Sequence, residues 1–322
     1  MVMAQSLFKA LIAKQSAAEI SVLAPATTYP LLERMPEVKQ GIVSPIAHGQ
    51  LNLKAHRDMG KSLRGQFDQA IILPGSLKSA LIPWFAKVPK RTAWKGEMRY
   101  GLINDMRQLD KTALPLMVDQ FLALGVDRLD SAMAHSQPSL QIDQDNIDKL
   151  CEQFSLTRQR PVLSFCPGAE YGPAKQWPAE HFANLAKKRI SEGWQVWIFG
   201  GPKDVEIAKN ITQLSGSSHC INLAGKTKLL DAIDLLSQSD VVVSNDSGLM
   251  HVSASLSKKL VVLYGSSTPM FTPPLSDTAE ALSLNLECSP CFKRQCPLGH
   301  LDCLKKLTPQ QVDHTLAKLL IK

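Results

Sequence analysis

The sequence predicts an α/β protein built from two doubly wound domains, and three observations predict it. Apolar, β-rich runs alternate with helical patterns along almost all of the 322 residues, the signature of parallel strands covered by helices on both faces. Most of these runs end in a polar or glycine-bearing turn. A polar stretch without periodicity, DSAMAHSQPSLQIDQDN at 130–146, interrupts the alternation and reads as a linker. It leaves two parts, 1–135 and 136–322, each long enough to bury its own core.

The opening MVMAQSLFKALIAKQ carries an apolar stripe with lysines inside it, so it predicts an amphipathic helix better than a secretory signal. Doubly wound domains normally open on a strand, and this chain opens on a helix. The first domain then offers strands at EISVLAP (19–25), 41–43, QAIILPG (69–75) and 91–93, with helices between them. The second is more regular: PVLSFCPG, QVWIFGG, CINLAG, DVVVSND and LVVLYGS follow one another as strands. Two such domains are expected to face each other across a cleft, with ligands at the carboxyl ends of the strands.

Composition narrows the class. A hydrophobic content of 44% with 20% charge excludes a disordered chain, and no apolar run reaches the roughly 18 residues of a membrane span. The expected compartment is the cytoplasm. A net charge of +7 favours acidic partners, from nucleotide phosphates to anionic lipid headgroups, unless it is only a solvated basic surface. Arginine-rich runs and basic stripes interleaved with aromatics are missing, so nucleic acid is not the expected partner.

The chemistry concentrates at three strand ends. In DVVVSNDSGLMHVSAS a strand stops at Ser244, Asn245 to Ser247 supply capping side chains, and Gly248 permits close backbone approach as a helix begins. Free N–H groups and the positive end of the dipole there suit a phosphate. Asp246 would repel one, so its expected role is to accept hydrogen bonds from sugar hydroxyls, with His251 one helical turn further on. Taken alone, Asp246 could equally be a helix cap and His251 a core histidine. The loop CPGAEYGPAKQWPAEHF (166–182) presents Lys175, which could neutralise a diphosphate or be a plain surface lysine. It is no Walker loop, lacking Gly-Lys-Ser/Thr. The third strand end, IFGGPKDVEIAKN, places Asp204 and Glu206 after a diglycine, where an acid often meets ribose hydroxyls.

Seven cysteines are present. Cys151, Cys166 and Cys220 sit in apolar surroundings and read as small core residues. Cys288, Cys291, Cys296 and Cys303 fall in CSPCFKRQCPLGHLDC, with C-x2-C-x4-C-x6-C spacing and His300 among them. They suggest either a structural zinc site or reduced thiols stabilising a loop.

Together NDSGLMHVSAS, LYGSSTPMFTPPLS, PGAEYGPAKQWP, ERMPEV, LPGSLKSALIPWFA and WKGEMRYGLINDMR resemble glycosyltransferase family 9, the ADP-heptose:lipopolysaccharide heptosyltransferases. The resemblance covers nearly the whole chain. It implies a GT-B fold of two facing Rossmann-like domains, the first for the acceptor and the second for the nucleotide sugar. It also implies inverting, metal-independent transfer of heptose from ADP-heptose to the first heptose on the Kdo2-lipid A region. A cytoplasmic enzyme touching the inner face of the inner membrane from outside the bilayer follows, with no cofactor needed for catalysis.

Carried over by motif, the resemblance assigns Lys175 to the diphosphate and Asp246 to heptose hydroxyls. The backbone at Ser247 and Gly248 would meet phosphate, His251 would support the loop, and Glu206 would reach the ribose. For the anionic acceptor, chemistry offers Lys78, Arg91 and Arg99. The family pattern also has a first strand ending in Gly-Asp, whose aspartate is the proposed general base. These 322 residues do not contain it, so no catalytic residue is assigned. The expectation is that Met1 is an internal methionine of a longer reading frame, or that the chain is shortened, leaving it unstable and nearly inactive. A non-catalytic nucleotide-sugar-binding remnant is the alternative, and a zinc-knuckle nucleic-acid binder is a third reading.

Overall fold

The computed structural model describes residues 1–46, 51–126 and 136–321. Two compact units result, Met3–Ser136 and Gln137–Lys322. The linker expected at 130–146 lies partly outside the described residues; its end is already helical, with the Asp143 side chain capping the Asn146 N–H at 3.2 Å.

The first unit runs α1 (Gln5–Lys14), β1 (Ile20–Pro25), β2 (Val38–Ser44), α2 (Leu53–Ser62), β3 (Gln69–Ile72), α3 (Leu77–Phe85), β4 (Lys90–Trp94), β5 (Asp105–Arg107) and α4 (Met117–Gly125). As expected, the chain opens on a helix, but burial does not follow one apolar face: Gln5 and Ser6 are buried with Leu7, Phe8 and Ala10, and α1 packs against α4. Parallel pairing forms two sheets, β1-β2 and β3-β4-β5. The sequence reading missed β5, because DMR is too short to show a period. Its register is set by the pairs Thr92 with Asp105 and Trp94 with Arg107.

The second unit continues with α5 (Gln144–Gln153), β6 (Val162–Cys166), α6 (Ala179–Ser191), β7 (Gln195–Ile198), α7 (Val205–Ser215), β8 (Cys220–Asn222), α8 (Leu229–Leu236), β9 (Val241–Asn245), α9 (Gly248–Ser255), β10 (Lys259–Leu263), β11 (Ala279–Leu282), α10 (Asp302–Lys305) and α11 (Pro309–Ile321). Its six parallel strands lie in the order β11-β10-β9-β6-β7-β8. Every residue of β6, β7 and β9 is buried, which is why these strands read as unbroken apolar runs. Strand β11 was missed for the opposite reason: AEAL is a helix-favouring string by propensity, and pairing against β10 overrides it.

Side chains alternate across this sheet. Leu163, Phe165, Val196, Ile198, Val241, Val243, Val261 and Leu263 point into one core with Phe182, Leu185, Ile211, Val312 and Leu316 from α6, α7 and α11. Trp177 joins that core from the loop after β6. It is fully buried, edge-on to Phe182 with centroids 4.8 Å apart, and its indole N–H donates to the Leu307 carbonyl at 2.7 Å. Cys166 and Cys220 are buried as expected, and Cys151 is half-buried. Burial raises all three thiol pKa values, so they behave as apolar residues.

Trp177→Ala removes a large core ring and orphans the Leu307 carbonyl. It should destabilise the second unit by about 3–5 kcal/mol, seen in urea denaturation as an earlier transition for that unit.

Candidate functional site

The second sheet reverses its winding between β6 and β9. From β6 the chain moves outward through β7 and β8; from β9 it moves the other way through β10 and β11. Loops leaving two neighbouring strands in opposite directions open a crevice at their carboxyl ends, where open α/β sheets bind ligands. The loop after β6 carries Lys175, and the turn after β9 carries Asp246.

These two side chains meet. The Lys175 ammonium donates to Asp246 Oδ2 in a short ion pair, and the Ser267 hydroxyl donates to the same oxygen at 2.6 Å. Asp246 is 7% exposed, so its charge is sustained by these partners and not by bulk water. Lys175 also lies over the Tyr171 ring, 5.2 Å from the centroid, a cation–π contact that further fixes its stem.

Neighbouring groups hold the turn in place. Asn245 ends β9 with its side chain bridging both loops: Oδ1 accepts from the Trp177 N–H at 3.2 Å, and Nδ2 donates to the Pro167 carbonyl at 2.7 Å. Ser247 then takes an extended conformation as the N-cap of α9 without a side-chain capping bond. A Cβ on Gly248 would meet nothing within 4 Å, so the first turn of α9 looks into open space with its N–H groups available. His251 lies one turn on. Burial lowers its pKa to about 4, with the nearby Lys175 ammonium adding to the shift and the Asp246 carboxylate opposing it. The ring is therefore neutral at physiological pH.

The loop after β6 is braced from a second segment. The Ala174 N–H donates to the Arg294 carbonyl at 3.1 Å, Tyr171 Oη donates to the Phe292 carbonyl at 2.7 Å, and the Phe292 N–H returns to the Ser266 carbonyl at 2.7 Å. Gly172 has φ +151 and leaves 2.5 Å between a would-be Cβ and the Arg294 carbonyl, so only glycine fits. Sequence reasoning missed Ser266, Ser267 and Tyr171 as members of the site. LVVLYGSS does end a strand in a glycine-bearing polar turn, but only the neighbouring position of β10 brings Ser267 to Asp246. Ser266 is 1% exposed with no partner for its hydroxyl.

At the end of β7, Asp204 turns back: its carboxylate accepts from the Gly201 N–H at 2.9 Å and fills the space beside Gly168 and Gly200. Its burial raises its pKa. Glu206, by contrast, is exposed in the first turn of α7.

The three cations offered for an acceptor are not brought together. Lys78 stands in the first turn of α3, at the carboxyl end of the first unit's β3. Arg91 sits near the amino end of β4, with Nε donating to the Leu102 carbonyl at 2.7 Å and Nη1 to the Val88 carbonyl at 2.5 Å. Arg99 is corrected outright: it is 1% exposed, and its guanidinium donates to the carbonyls of Trp94 at 2.6 Å and Pro74 at 2.8 Å and to Ser79 Oγ at 3.3 Å. It staples the loops after β3 and β4 through Nη1 and Nη2, while Nε is buried without a partner. The outward residues of that segment are Met98, 81% exposed, and Tyr100, 66% exposed.

Cys288, Cys291, Cys296 and Cys303 line one small cavity of about 20 Å³ with His300, and all four are free thiols. Backbone N–H groups of Leu301, Leu298, Gly299 and His300 lower the pKa of Cys296 against a small burial effect. Among the described residues, no group of three or more His, Cys, Asp or Glu side chains is disposed to hold a metal ion. No helix among them is long and apolar enough to cross a membrane.

A crevice at a topological switch point, with a lysine, a carboxylate and an open helix N-terminus, is the place where open α/β sheets bind ligands, and the fold is that of a GT-B glycosyltransferase. The profile of glycosyltransferase family 9 (heptosyltransferase) matches residues 56–302, and the chain belongs to this family. It is 46% identical to lipopolysaccharide heptosyltransferase 2 of Escherichia coli K12, with 100% of this chain and 95% of that protein covered. It is 41% identical to lipooligosaccharide heptosyltransferase 2 of Haemophilus influenzae, with 100% and 96% covered. The solved structure of E. coli ADP-heptose LPS heptosyltransferase II superposes with a TM-score of 0.86 at 45% identity, covering 100% of this chain and 95% of that one. A family 9 glycosyltransferase from Veillonella parvula reaches the same TM-score at 22% identity, covering 99% and 93%, which supports the fold.

Protonating His251 requires charging a largely desolvated, half-buried ring. Its folded pKa of about 4 lies below the unfolded value of roughly 6.5, so the unfolded state binds the extra proton between them. Stability is complete above pH 6.5 and falls as pH drops toward 4, by up to about 3 kcal/mol from this group. Urea midpoints at pH 7 and pH 4.5 should therefore differ less for His251→Gln than for the unaltered protein.

Proposed function

We propose that this chain transfers heptose from ADP-heptose to the first inner-core heptose of lipopolysaccharide, with the second unit as the donor site. The observation that carries this reading is the Lys175–Asp246–Ser267 cluster beside the open first turn of α9. The diphosphate lies against the Ser247 and Gly248 backbone, where N–H groups and the helix dipole meet its charge. Lys175 swings from Asp246 to the phosphates as the ligand enters. Asp246, relieved of the ammonium, accepts hydrogen bonds from heptose hydroxyls, and neutral His251 packs behind the turn without adding charge. Glu206 takes the ribose hydroxyls.

The chemistry is a displacement at the anomeric carbon. The acceptor hydroxyl forms the new C–O bond on one face and passes its proton to solvent water, while the bond to the β-phosphate oxygen breaks on the other and its electron pair leaves with ADP, inverting the centre. Negative charge accumulates on the departing ADP. Lys175 and the α9 N-terminus are placed where that charge grows, so they stabilise the transition state more than the ground state. Identity along the whole chain to heptosyltransferases favours a transferase over a binding remnant.

The first unit receives the acceptor, heptosyl-Kdo2-lipid A, with Lys78 at the carboxyl end of β3 as its cation. The acceptor is a lipid, so the reaction belongs at a membrane surface on its cytoplasmic side, touched without insertion.

Calorimetric titration with ADP and then ADP-heptose tests the donor assignment. Lys175→Ala should weaken both ligands about 10- to 100-fold, the range for losing a charged hydrogen bond. Asp246→Ala should spare ADP and remove most of the extra affinity contributed by the sugar. Equal loss of both ligands in Asp246→Ala would reduce Asp246 to a structural cap and overturn the assignment.

A further inference from the structure

The first unit carries a second built feature, remote from the loops at the carboxyl ends of its strands. A cleft of about 480 Å³ is lined by Arg57, Lys61, Arg64, Trp84, Lys87 and Arg91, with no acidic residue in its wall. Helical geometry assembles it. Positions 54, 57, 61 and 64 recur at three- and four-residue spacing, so Lys54, Arg57, Lys61 and Arg64 fall along one face of α2 and its continuation. The facing wall is the end of α3 and the turn before β4, where Lys87 adopts φ 55 and Trp84 stands 43% exposed.

The cleft's cations differ in their commitments. Arg64 Nε donates to the Phe85 carbonyl at 3.0 Å, joining the two walls, and Arg91 is tied to carbonyls as described. Arg57, Lys61 and Lys87 are all exposed and, among the described residues, point no donor at an acid. Like charges gathered without counter-charge repel one another, and the unit keeps them together around an exposed indole. Cations flanking a half-exposed tryptophan suit the anionic headgroup layer of a bilayer, where the charges meet phosphates and the ring settles at the polar–apolar boundary.

We propose that this cleft is the surface by which the protein docks on an anionic bilayer, a reading that rests on the lipid-borne acceptor of the proposed function for its partner. It lies at the amino end of β4, so docking leaves the loops after β3 and β4 uncovered. Counter-ion release makes the attachment salt-sensitive, and the surface does not require any segment to enter the hydrocarbon core.

The test uses the full chain sedimented with vesicles of phosphatidylglycerol and phosphatidylcholine, and with phosphatidylcholine alone. The protein should bind only the anionic vesicles and be released by 0.5 M salt, roughly as screening requires. The triple variant Arg57→Glu, Lys61→Glu, Lys87→Glu should bind at least about tenfold more weakly. Its circular dichroism and its transfer to a deacylated, water-soluble acceptor should be unchanged. Trp84→Phe should abolish the blue shift of tryptophan emission on vesicle binding. Equal vesicle binding by the triple variant and the unaltered chain would overturn the proposal. So would tight binding of inorganic phosphate by a protein that ignores vesicles, which would mark a soluble-anion site. Failure of the unaltered chain to act on the deacylated acceptor would count against the proposed function alone, since vesicle binding is read without it.

Discussion

The ion pair between Lys175 and Asp246 is the constraint on which the site depends, because each charge comes from a different strand at the point where the sheet reverses direction. Neither loop would stay put without the other. Lys175 arrives on a loop held by Trp177 in the core, and Asp246 on a turn held by Asn245, whose amide spans both. A buried carboxylate needs partners, and here they are the Lys175 ammonium and the Ser267 hydroxyl. The Lys175–Asp246 pair is thus neutral in sum.

Much of this was legible in the chain. The strands of the second sheet announced themselves as apolar runs because both of their faces are covered, and the turns after β6 and β9 were visible as breaks in those runs. Lys175 and Asp246 could be named because a cation and an acid at strand ends of one sheet match the two halves of a sugar diphosphate, and because both fall in family motifs. What periodicity does not encode is which strands become neighbours. That β6 lies beside β9, nearly eighty positions away, is a property of topology, and it turned two loops into one site. Ser267 was missed for the same reason, since only the neighbouring β10 brings its hydroxyl to Asp246.

The first unit shows where residue chemistry misleads. Arg99 looks from the sequence like a cation for an anionic acceptor, yet its neighbours point out and it points in. An extended loop alternates its side chains, so Met98 and Tyr100 face solvent while the guanidinium collects carbonyls that would otherwise be buried without donors. Arg91 is likewise tied to carbonyls, at the amino end of β4. Short strands added to the difficulty: β5 has three residues and no period to read, and AEAL in β11 carries the propensity of the wrong element. In both cases pairing partners supplied what the local string lacked.

The cysteine segment that braces the loop after β6 gives the molecule a remote handle on its pocket. Phe292 and Arg294, whose carbonyls hold Tyr171 and Ala174, lie between Cys291 and Cys296 in the chain, and Cys296 has the acid-shifted thiol. The stretch of chain that presents Lys175 is therefore anchored from outside its own sheet, and its position follows that of the cysteine-bearing segment.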